Sequence, residues 1–516
     1  MRAKASVLSW AAVALVGVIV VALVLGLSLF PRLNAAQNVL DNGRPVFTPQ
    51  RVAGDRAAID TVSSAITLVD QVAAPQGGAS SEVPGLIAFV SQKTGLSQAA
   101  VLKALQTNFP HTTALLQAIP LTSVNAEVPT LIAFLATTLK MTPDQVTAAL
   151  KTNFPHIYQS ITALPTVTSG WYNVPGTEKL TTFDGKPVRS VPQAAAYFKD
   201  DVVPVVERQQ ANFQSLDSKG GVGYLNILLL VLGIVVIVFG ALMAFLASRG
   251  LASRGVSAAG WTVVTAVGVI VIALVAGLAL FPRLSAGQTL VNDAKPLFDS
   301  TRVAGDRAAI NMISEVVQVA DPIVTDQGGA SAEVPQLLTF VSKKTGLSQT
   351  AVLTALQGKV PHTAALLQAI PLSAVSGELP GLTKFLASAL KLTPAQVTAA
   401  LKTNFPHIYQ SIALLPVVTT AWNNVPGTAR LTNFDGTPVR TVPAIRDYFS
   451  GDVIPVLESQ HKNYATVANT WPPLTVFPPL LLVVGILVTL YGAAMLLLTM
   501  RSTPAHSAAT AAARAT

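Results

Sequence analysis

The stretch that decides the fold reads EVPTLIAFLATTLKMTPDQVTAALKTNFPHIYQSITALPTVTSGW and runs from Glu127 to Trp171. This block of 45 residues occurs four times, at 82–126, 127–171, 333–377 and 378–422. Each copy opens with a glutamate and carries a Pro-His step near its middle. A repeat of this kind predicts a packing module that buries its apolar surface against neighbouring copies.

The four blocks lie inside a longer repeat that covers most of the chain. Positions 251 residues apart match without a gap, for example Trp10 with Trp261 and Trp171 with Trp422. This pattern predicts that a complete unit was duplicated, and that an earlier doubling produced the two blocks within each unit.

The composition predicts a membrane protein. Of the 516 residues, 51% are hydrophobic and only 11% are charged, whereas about a quarter of residues are charged in soluble domains. Four runs without Asp, Glu, Lys or Arg are long enough to span a bilayer, which takes roughly 20 apolar residues. They are 5–30, 220–248, 255–282 and 463–500. The first run is too long for a secretory signal, and its counterpart is internal.

Basic residues predict the orientation of these spans. The segments at the two ends of the chain and between the second and third runs contain basic but no acidic residues, namely Arg2, Lys4, Arg249, Arg254, Arg501 and Arg514. The positive-inside rule therefore predicts that both termini are cytoplasmic and that the two long loops lie outside. Those loops are nearly balanced, with 14 basic against 13 acidic and 14 against 12 residues. The net charge of +9 thus reflects topology and gives no indication of nucleic-acid binding.

These observations predict an all-α membrane protein. Four transmembrane helices form two duplicated two-span units, each with a helical extracytoplasmic domain that contains two three-helix blocks and a small β-hairpin. The predicted segments are a cytoplasmic N-terminus with helix 1 (1–30), extracytoplasmic domain 1 (31–222), helices 2 and 3 with a cytoplasmic turn (223–282), extracytoplasmic domain 2 (283–474), helix 4 (475–500) and a cytoplasmic tail (501–516).

Local signals predict the elements within one unit. Pro129 suits the first position of a helix, Thr142 with Gln145 forms a capping box for a second helix, and Pro165 predicts the end of a third. Asp184-Gly185 between mixed apolar runs predicts a hairpin turn. Before the blocks, a helix is expected over 51–73, then a loop over 74–81. The helices next to the membrane are expected to pair as an antiparallel stalk.

The recurring histidines and glutamates are the only candidate metal ligands. They are His111, His156, His362, His407, Glu82, Glu127, Glu333 and Glu378. His and carboxylate groups from two blocks could assemble a zinc site. However, Glu and His lie 29 residues apart within a block, without the close-set pairs typical of metal sites. A structural role as caps or packing groups is the favoured interpretation, and no metal or other cofactor is predicted.

No catalytic residues are predicted either. Cysteine is absent, which excludes thiol catalysis, and the nucleotide-binding, hydrolase and metalloprotease motifs do not occur. A bare S-x-x-K at Ser388 lacks companion motifs. Trp171 and Trp422 could be ligand platforms, but a large aromatic residue at the end of a block pair is more often part of the core. Trp10, Trp261 and Trp471 suit the aromatic belts of a bilayer.

The sequence therefore favours a non-enzymatic, multi-pass plasma-membrane protein of the bacterial cell envelope. Its outward helical repeats are expected to bind a protein or envelope partner, or to act as a scaffold, with the lipid bilayer as the other partner and self-association into a homo-oligomer left open. A sensor that acts through a separate cytoplasmic partner is one alternative. A transporter or transporter accessory subunit is another, although the spans lack the ionisable residues that ion pathways use.

Overall fold

A computed structural model describes residues 2–73, 78–118, 121–324, 329–369 and 372–501. Every regular element in these ranges is helical, which confirms the all-α prediction. The chain folds into two compact units. We call Met1–Phe47, Arg208–Phe298 and Ser459–Thr516 the membrane unit, and Thr48–Glu207 with Asp299–Glu458 the repeat domain. We call 1–251 the N-terminal half and 252–516 the C-terminal half.

The α-helices of the described residues are α1 (Arg2–Gly26), α2 (Leu29–Gly43), α3 (Pro49–Ala73), α4 (Ala79–Thr94), α5 (Gln98–Asn108), α6 (Pro110–Ala118), α7 (Leu121–Leu139), α8 (Pro143–Asn153), α9 (Pro155–Gly170), α10 (Val191–Tyr197), α11 (Val203–Asp217), α12 (Tyr224–Ser248), α13 (Arg254–Gly277), α14 (Leu280–Asp293), α15 (Ser300–Val324), α16 (Gly329–Thr345), α17 (Gln349–Lys359), α18 (Pro361–Ala369), α19 (Leu372–Leu390), α20 (Pro394–Asn404), α21 (Pro406–Trp422), α22 (Val442–Tyr448), α23 (Ile454–Ala468) and α24 (Phe477–Arg501).

Four stretches of the membrane unit are long and apolar enough to cross a bilayer, as the sequence predicts: Ser6–Gly26, Tyr224–Ser248, Arg254–Gly277 and Leu474–Arg501. They associate as two pairs, α1 with α12 and α13 with α24. Glycine permits this close approach. A Cβ atom on Gly17 would lie 2.7 Å from the Ile237 nitrogen, and one on Gly268 would lie 2.6 Å from the Thr489 nitrogen.

Two tryptophans join the pairs of membrane helices. Trp10 of α1 and Trp261 of α13 stack with ring centroids 3.8 Å apart, and both are buried. The prediction that these two residues face lipid headgroups is therefore wrong, because each ring is covered by the other and by neighbouring helices. Trp471 remains 80% exposed, as a residue of an aromatic belt would be.

The stalk prediction is confirmed within the membrane unit. Arg44 follows α2 and donates two hydrogen bonds, of 2.8 and 2.6 Å, to the carboxylate of Asp217 in α11. Nearby, Phe47 stacks on Phe213 with ring centroids 4.5 Å apart. Because the later residue of α2 contacts the earlier residue of α11, the two helices run antiparallel.

The repeat domain is assembled from both halves of the chain. The long helix α3 of the N-terminal half packs on α21 of the C-terminal half, and α15 of the C-terminal half packs on α9 of the N-terminal half. The predicted apolar stripe on α3 is confirmed, since Ile59, Val62 and Ile66 are buried. The loop predicted over 74–81 lies partly outside the described residues, and α4 already begins at Ala79.

Within the blocks, local capping signals hold and proline signals do not. The capping box at Thr142 and Gln145 is present, with N–H to side-chain oxygen distances of 2.9 and 3.2 Å. Pro129, however, lies inside α7 and Pro165 inside α9. An interior proline costs about 3 kcal/mol. Burial on both sides of Pro129, for example at Leu131, offsets this cost.

The predicted β-hairpin is not formed as two strands. A tight turn exists at Asp184-Gly185, with Gly185 at φ 88° and the Thr182 N–H donating to the Lys186 carbonyl at 2.8 Å. Pairing is limited to an isolated bridge between Thr181 and Pro187. Proline has no N–H to extend the ladder, so the described residues around this turn contain no strand.

Candidate functional site

The recurring glutamates accept hydrogen bonds at the starts of helices in other blocks. The carboxylate of Glu378, in α19, accepts the backbone N–H of His111 at 3.2 Å and that of Thr112 at 2.8 Å. The Thr112 hydroxyl donates to the same carboxylate at 2.8 Å. The first N–H groups of a helix have no partner within that helix. Glu378 therefore caps α6 from 266 residues away.

The same contact occurs in all four blocks. The remaining capping distances are 3.1 and 2.7 Å from Glu127 to the N–H groups of His362 and Thr363, 3.2 and 2.9 Å from Glu333 to those of His156 and Ile157, and 3.2 and 2.9 Å from Glu82 to those of His407 and Ile408. Block 82–126 thus exchanges caps with block 378–422, and block 127–171 exchanges caps with block 333–377. Every exchange joins the two halves.

The chemistry of these caps is favourable for two reasons. A carboxylate is a charged acceptor, so its hydrogen bonds are stronger than those of a neutral oxygen. The positive end of the helix dipole also attracts its negative charge. Four caps therefore hold the repeat domain together across the boundary between the halves.

Three histidine side chains have partners that differ from block to block. The Nδ1 atom of His156 lies 2.7 Å from the Glu333 carboxylate, and that of His111 lies 2.9 Å from the Gln368 carbonyl. The side chain of His407 contacts Gln71. In the described part of the chain, no group of three or more His, Asp and Glu residues could hold a metal ion. The structure thus brings each candidate Glu to a candidate His, with the backbone N–H as the shared contact.

Histidine substitution should therefore have a small effect that does not depend on metal. In His111→Gln/His156→Gln the backbone donors to the caps remain, so we expect a loss of at most about 1 kcal/mol, the value of one hydrogen bond. Thermal unfolding of the full-length protein in detergent, with chelator and with zinc, measures this. A zinc-dependent rise in Tm that disappears in the double variant would instead identify these residues as ligands.

Buried charged clusters also connect the halves. Asp55 of α3 is buried close to Arg51 and to Tyr448 of the other half. Arg51 donates to the Asn433 carbonyl at 3.0 Å and lies over the Phe434 ring at 4.8 Å. Burial raises the pKa of Asp55 to about 7, although Tyr448 and Arg51 both act to lower it.

An equivalent cluster occurs 251 residues later. Asp306 of α15 is buried near Tyr197 and Arg302, and burial raises its pKa to about 7 as well. Arg302 donates to the Thr181 carbonyl at 2.5 Å and lies over the Phe183 ring at 5.0 Å. Each long helix thus binds the turn segment of the opposite half. The sequence analysis did not single out these carboxyls, although an Asp within an otherwise apolar helical stripe was a visible signal.

The two block-terminal tryptophans belong to the core, as predicted. Trp171 and Trp422 are both buried. The indole N–H of Trp171 donates to Asp70 at 2.9 Å, and that of Trp422 donates to Asp321 at 2.7 Å. A buried indole needs such an acceptor. Trp422 also lines a cavity.

Two apolar cavities lie inside the repeat domain at equivalent places. The larger, of about 150 Å³, is bounded mainly by blocks 82–126 and 378–422 together with α3 and α15. The smaller, of about 70 Å³, is bounded mainly by blocks 127–171 and 333–377. Leu86 and Leu401 line the first, and their counterparts Leu337 and Leu150 line the second. Apolar side chains form almost the whole wall of each.

The caps and the cavities share residues. The residue that follows each capped histidine, which itself donates its N–H to the capping glutamate, also lines a cavity: Thr112, Ile157, Thr363 and Ile408. The walls of both cavities are therefore fixed by contacts between the halves.

Comparison with known proteins adds no name to this site, because no family model, no curated protein and no solved structure matches the chain.

Proposed function

We propose that this protein is a non-enzymatic membrane protein of the bacterial cell envelope, built from a duplicated two-span unit. The repeat domain lies outside the cytoplasm, both termini lie inside, and the domain binds a small apolar molecule. The basic residues at the turn and the two ends of the chain support this topology.

The twin cavities are the observation that carries the binding proposal. An engineered protein cavity of ~150 Å³ with aliphatic walls stays dry and binds benzene or xenon. The larger cavity has this volume and this kind of wall. It is smaller than the ~300–1,000 Å³ of sites for drug-sized ligands. The ligand is therefore a compact apolar molecule or one short apolar segment of a larger molecule.

Cavity-filling substitutions test the proposal. Val124 lines the smaller cavity and its counterpart Val375 lines the larger. We expect protein purified from its native membrane to retain an apolar molecule, detected by solvent extraction and mass spectrometry. The variant Val124→Phe/Val375→Phe should lose it without a fall in Tm, because each new ring occupies space that is empty in the parent.

The matched control is Val417→Phe, which makes the same change at a position that is 57% exposed. This variant should retain the molecule. If the parent retains only the bilayer lipids that also accompany the double variant, the binding proposal is wrong.

A scaffold function is the second candidate, and the reciprocal caps favour it. They connect segments from 177 to 325 residues apart, which suits a domain that must stay rigid. A scaffold would retain an envelope protein rather than a small apolar molecule, so analysis of both in the same purification distinguishes the two functions.

A further inference from the structure

A second and larger apolar space lies in the membrane unit. It is a cleft of about 500 Å³, lined by residues of α1, α12, α13 and α24. Val16 and its counterpart Val267 line it from α1 and α13, and Gly233 and its counterpart Val484 line it from α12 and α24. Tyr491 brings the one hydroxyl among the lining residues.

The cleft exists because the four helices associate as two pairs that meet near one end. Within each pair, glycines such as Gly17 bring the backbones together. Between the pairs, the Trp10–Trp261 stack forms a bridge. Beyond this stack the facing side chains are mostly valine, which are too short to close the gap between the pairs.

The depth of the cleft identifies its surroundings. Its walls use residues 12–20 of α1, which runs from Arg2 to Gly26, and residues 232–239 of α12, which runs from Tyr224 to Ser248. At 1.5 Å per residue, the wall on α1 is ~13 Å high. It lies at the middle of helices that are long enough to span the bilayer, where the surrounding medium is hydrocarbon.

Water does not suit this space. A buried water needs two to four polar partners. The Tyr491 hydroxyl lies 3.4 Å from the Ser9 carbonyl, and the remaining wall is apolar. A volume of about 500 Å³ falls within the ~300–1,000 Å³ of ligand sites. The occupant is therefore apolar over the whole height of the cleft.

The cleft is open at the side. Four residues of its wall are also exposed on the outer surface of the helices: Ile19 at 48%, Val235 at 51%, Val263 at 45% and Leu487 at 61%. Because these residues face the bilayer, a lipid chain can enter laterally while its headgroup stays at the membrane surface.

We propose that this cleft binds one acyl chain of a bilayer phospholipid between the two helix pairs. Its chemistry requires only hydrocarbon at this depth, and the bilayer supplies it. The site is independent of the repeat domain, so it stands or fails separately from the function proposed above.

Photolabelling tests the site in the full-length protein. The protein is placed in nanodiscs that contain a small fraction of phosphatidylethanolamine with a diazirine midway along one acyl chain, and adducts are mapped by peptide mass spectrometry. We expect adducts to concentrate on cleft residues around Val16 and Val267. Val16→Phe/Val267→Phe should reduce this labelling severalfold, and Val16→Ala/Val267→Ala should keep it.

The control variant is Val238→Phe/Leu490→Phe. Both residues are 62% exposed, and neither lines the cleft. This variant should leave labelling of the cleft unchanged. Adducts in the parent that spread evenly over all bilayer-facing residues would overturn the proposal, without reliance on any variant. Labelling of the cleft by a diazirine fatty acid but not by the phospholipid would also contradict it.

Discussion

Removal of the four capping carboxylates should abolish cooperative folding of the repeat domain. In Glu82→Ala/Glu127→Ala/Glu333→Ala/Glu378→Ala, eight backbone N–H groups at helix starts lose their acceptors. A helix cap is worth ~0.5–2 kcal/mol, so four caps together approach the ~5–15 kcal/mol of a typical domain stability. Thermal unfolding of the full-length protein, followed by circular dichroism, measures the effect.

Among the single variants, Glu333→Ala should cost the most. Its residue is 7% exposed, and its carboxylate meets the His156 side chain in addition to two backbone N–H groups. Asp447→Ala is a matched control, because that carboxylate is exposed and pairs with the adjacent Arg446. A quadruple variant that melted within a degree of the parent would show that the caps do not hold the halves together.

The stability of the repeat domain should fall as pH rises from about 4 to about 7. Asp55 and Asp306 have folded pKa values of about 7, whereas an unfolded Asp has a pKa of ~3.9. Between these values the folded state holds a proton that the unfolded state has released, so unfolding releases protons and becomes easier at higher pH. The contribution is complete below pH ~4 and is lost through pH 7.

The size of this effect is considerable. One pH unit corresponds to about 1.4 kcal/mol for each carboxyl, which gives on the order of 4 kcal/mol per group over the whole window. In Asp55→Asn/Asp306→Asn the side chains stay neutral at every pH. The variant should therefore gain stability relative to the parent as pH rises from 5 to 8, as measured by Tm at each pH.

Asp184→Asn provides the control for that series. Its carboxylate is exposed, and its hydrogen bonds to Lys186 and Thr182 lower its pKa to about 2, so it does not titrate between pH 5 and 8. This variant should follow the parent. Parallel curves for the parent and the double Asn variant would show that the two buried carboxyls do not govern the pH dependence.

Features written in a few adjacent residues were predictable from the sequence. The capping box at Thr142 and the apolar stripe on α3 depend on neighbours within one or two helical turns, and both are present. The four candidate spans are equally local, because a long uncharged run is sufficient to mark them. Proline gave wrong helix limits at Pro129 and Pro165, because tertiary burial outweighed a local preference.

The site was less accessible to sequence reasoning. The glutamates and histidines recur in register, which correctly marked them as related, but the partner of Glu378 lies 266 residues away in another block. No local pattern states which block caps which. The signal that could have helped is the Pro-His step itself, since it starts a helix whose free N–H groups require an acceptor.

Interlocking of the two halves is the central claim, and separate expression of the halves tests it most directly. The turn after α12 is exposed at Gly250 and Leu251, so the chain can be divided between residues 251 and 252. We predict that coexpressed fragments 1–251 and 252–516 copurify as one complex with a single cooperative transition, and that each fragment alone aggregates. Two fragments that each unfold cooperatively when alone, with the Tm of the intact protein and without binding to each other, would contradict the claim.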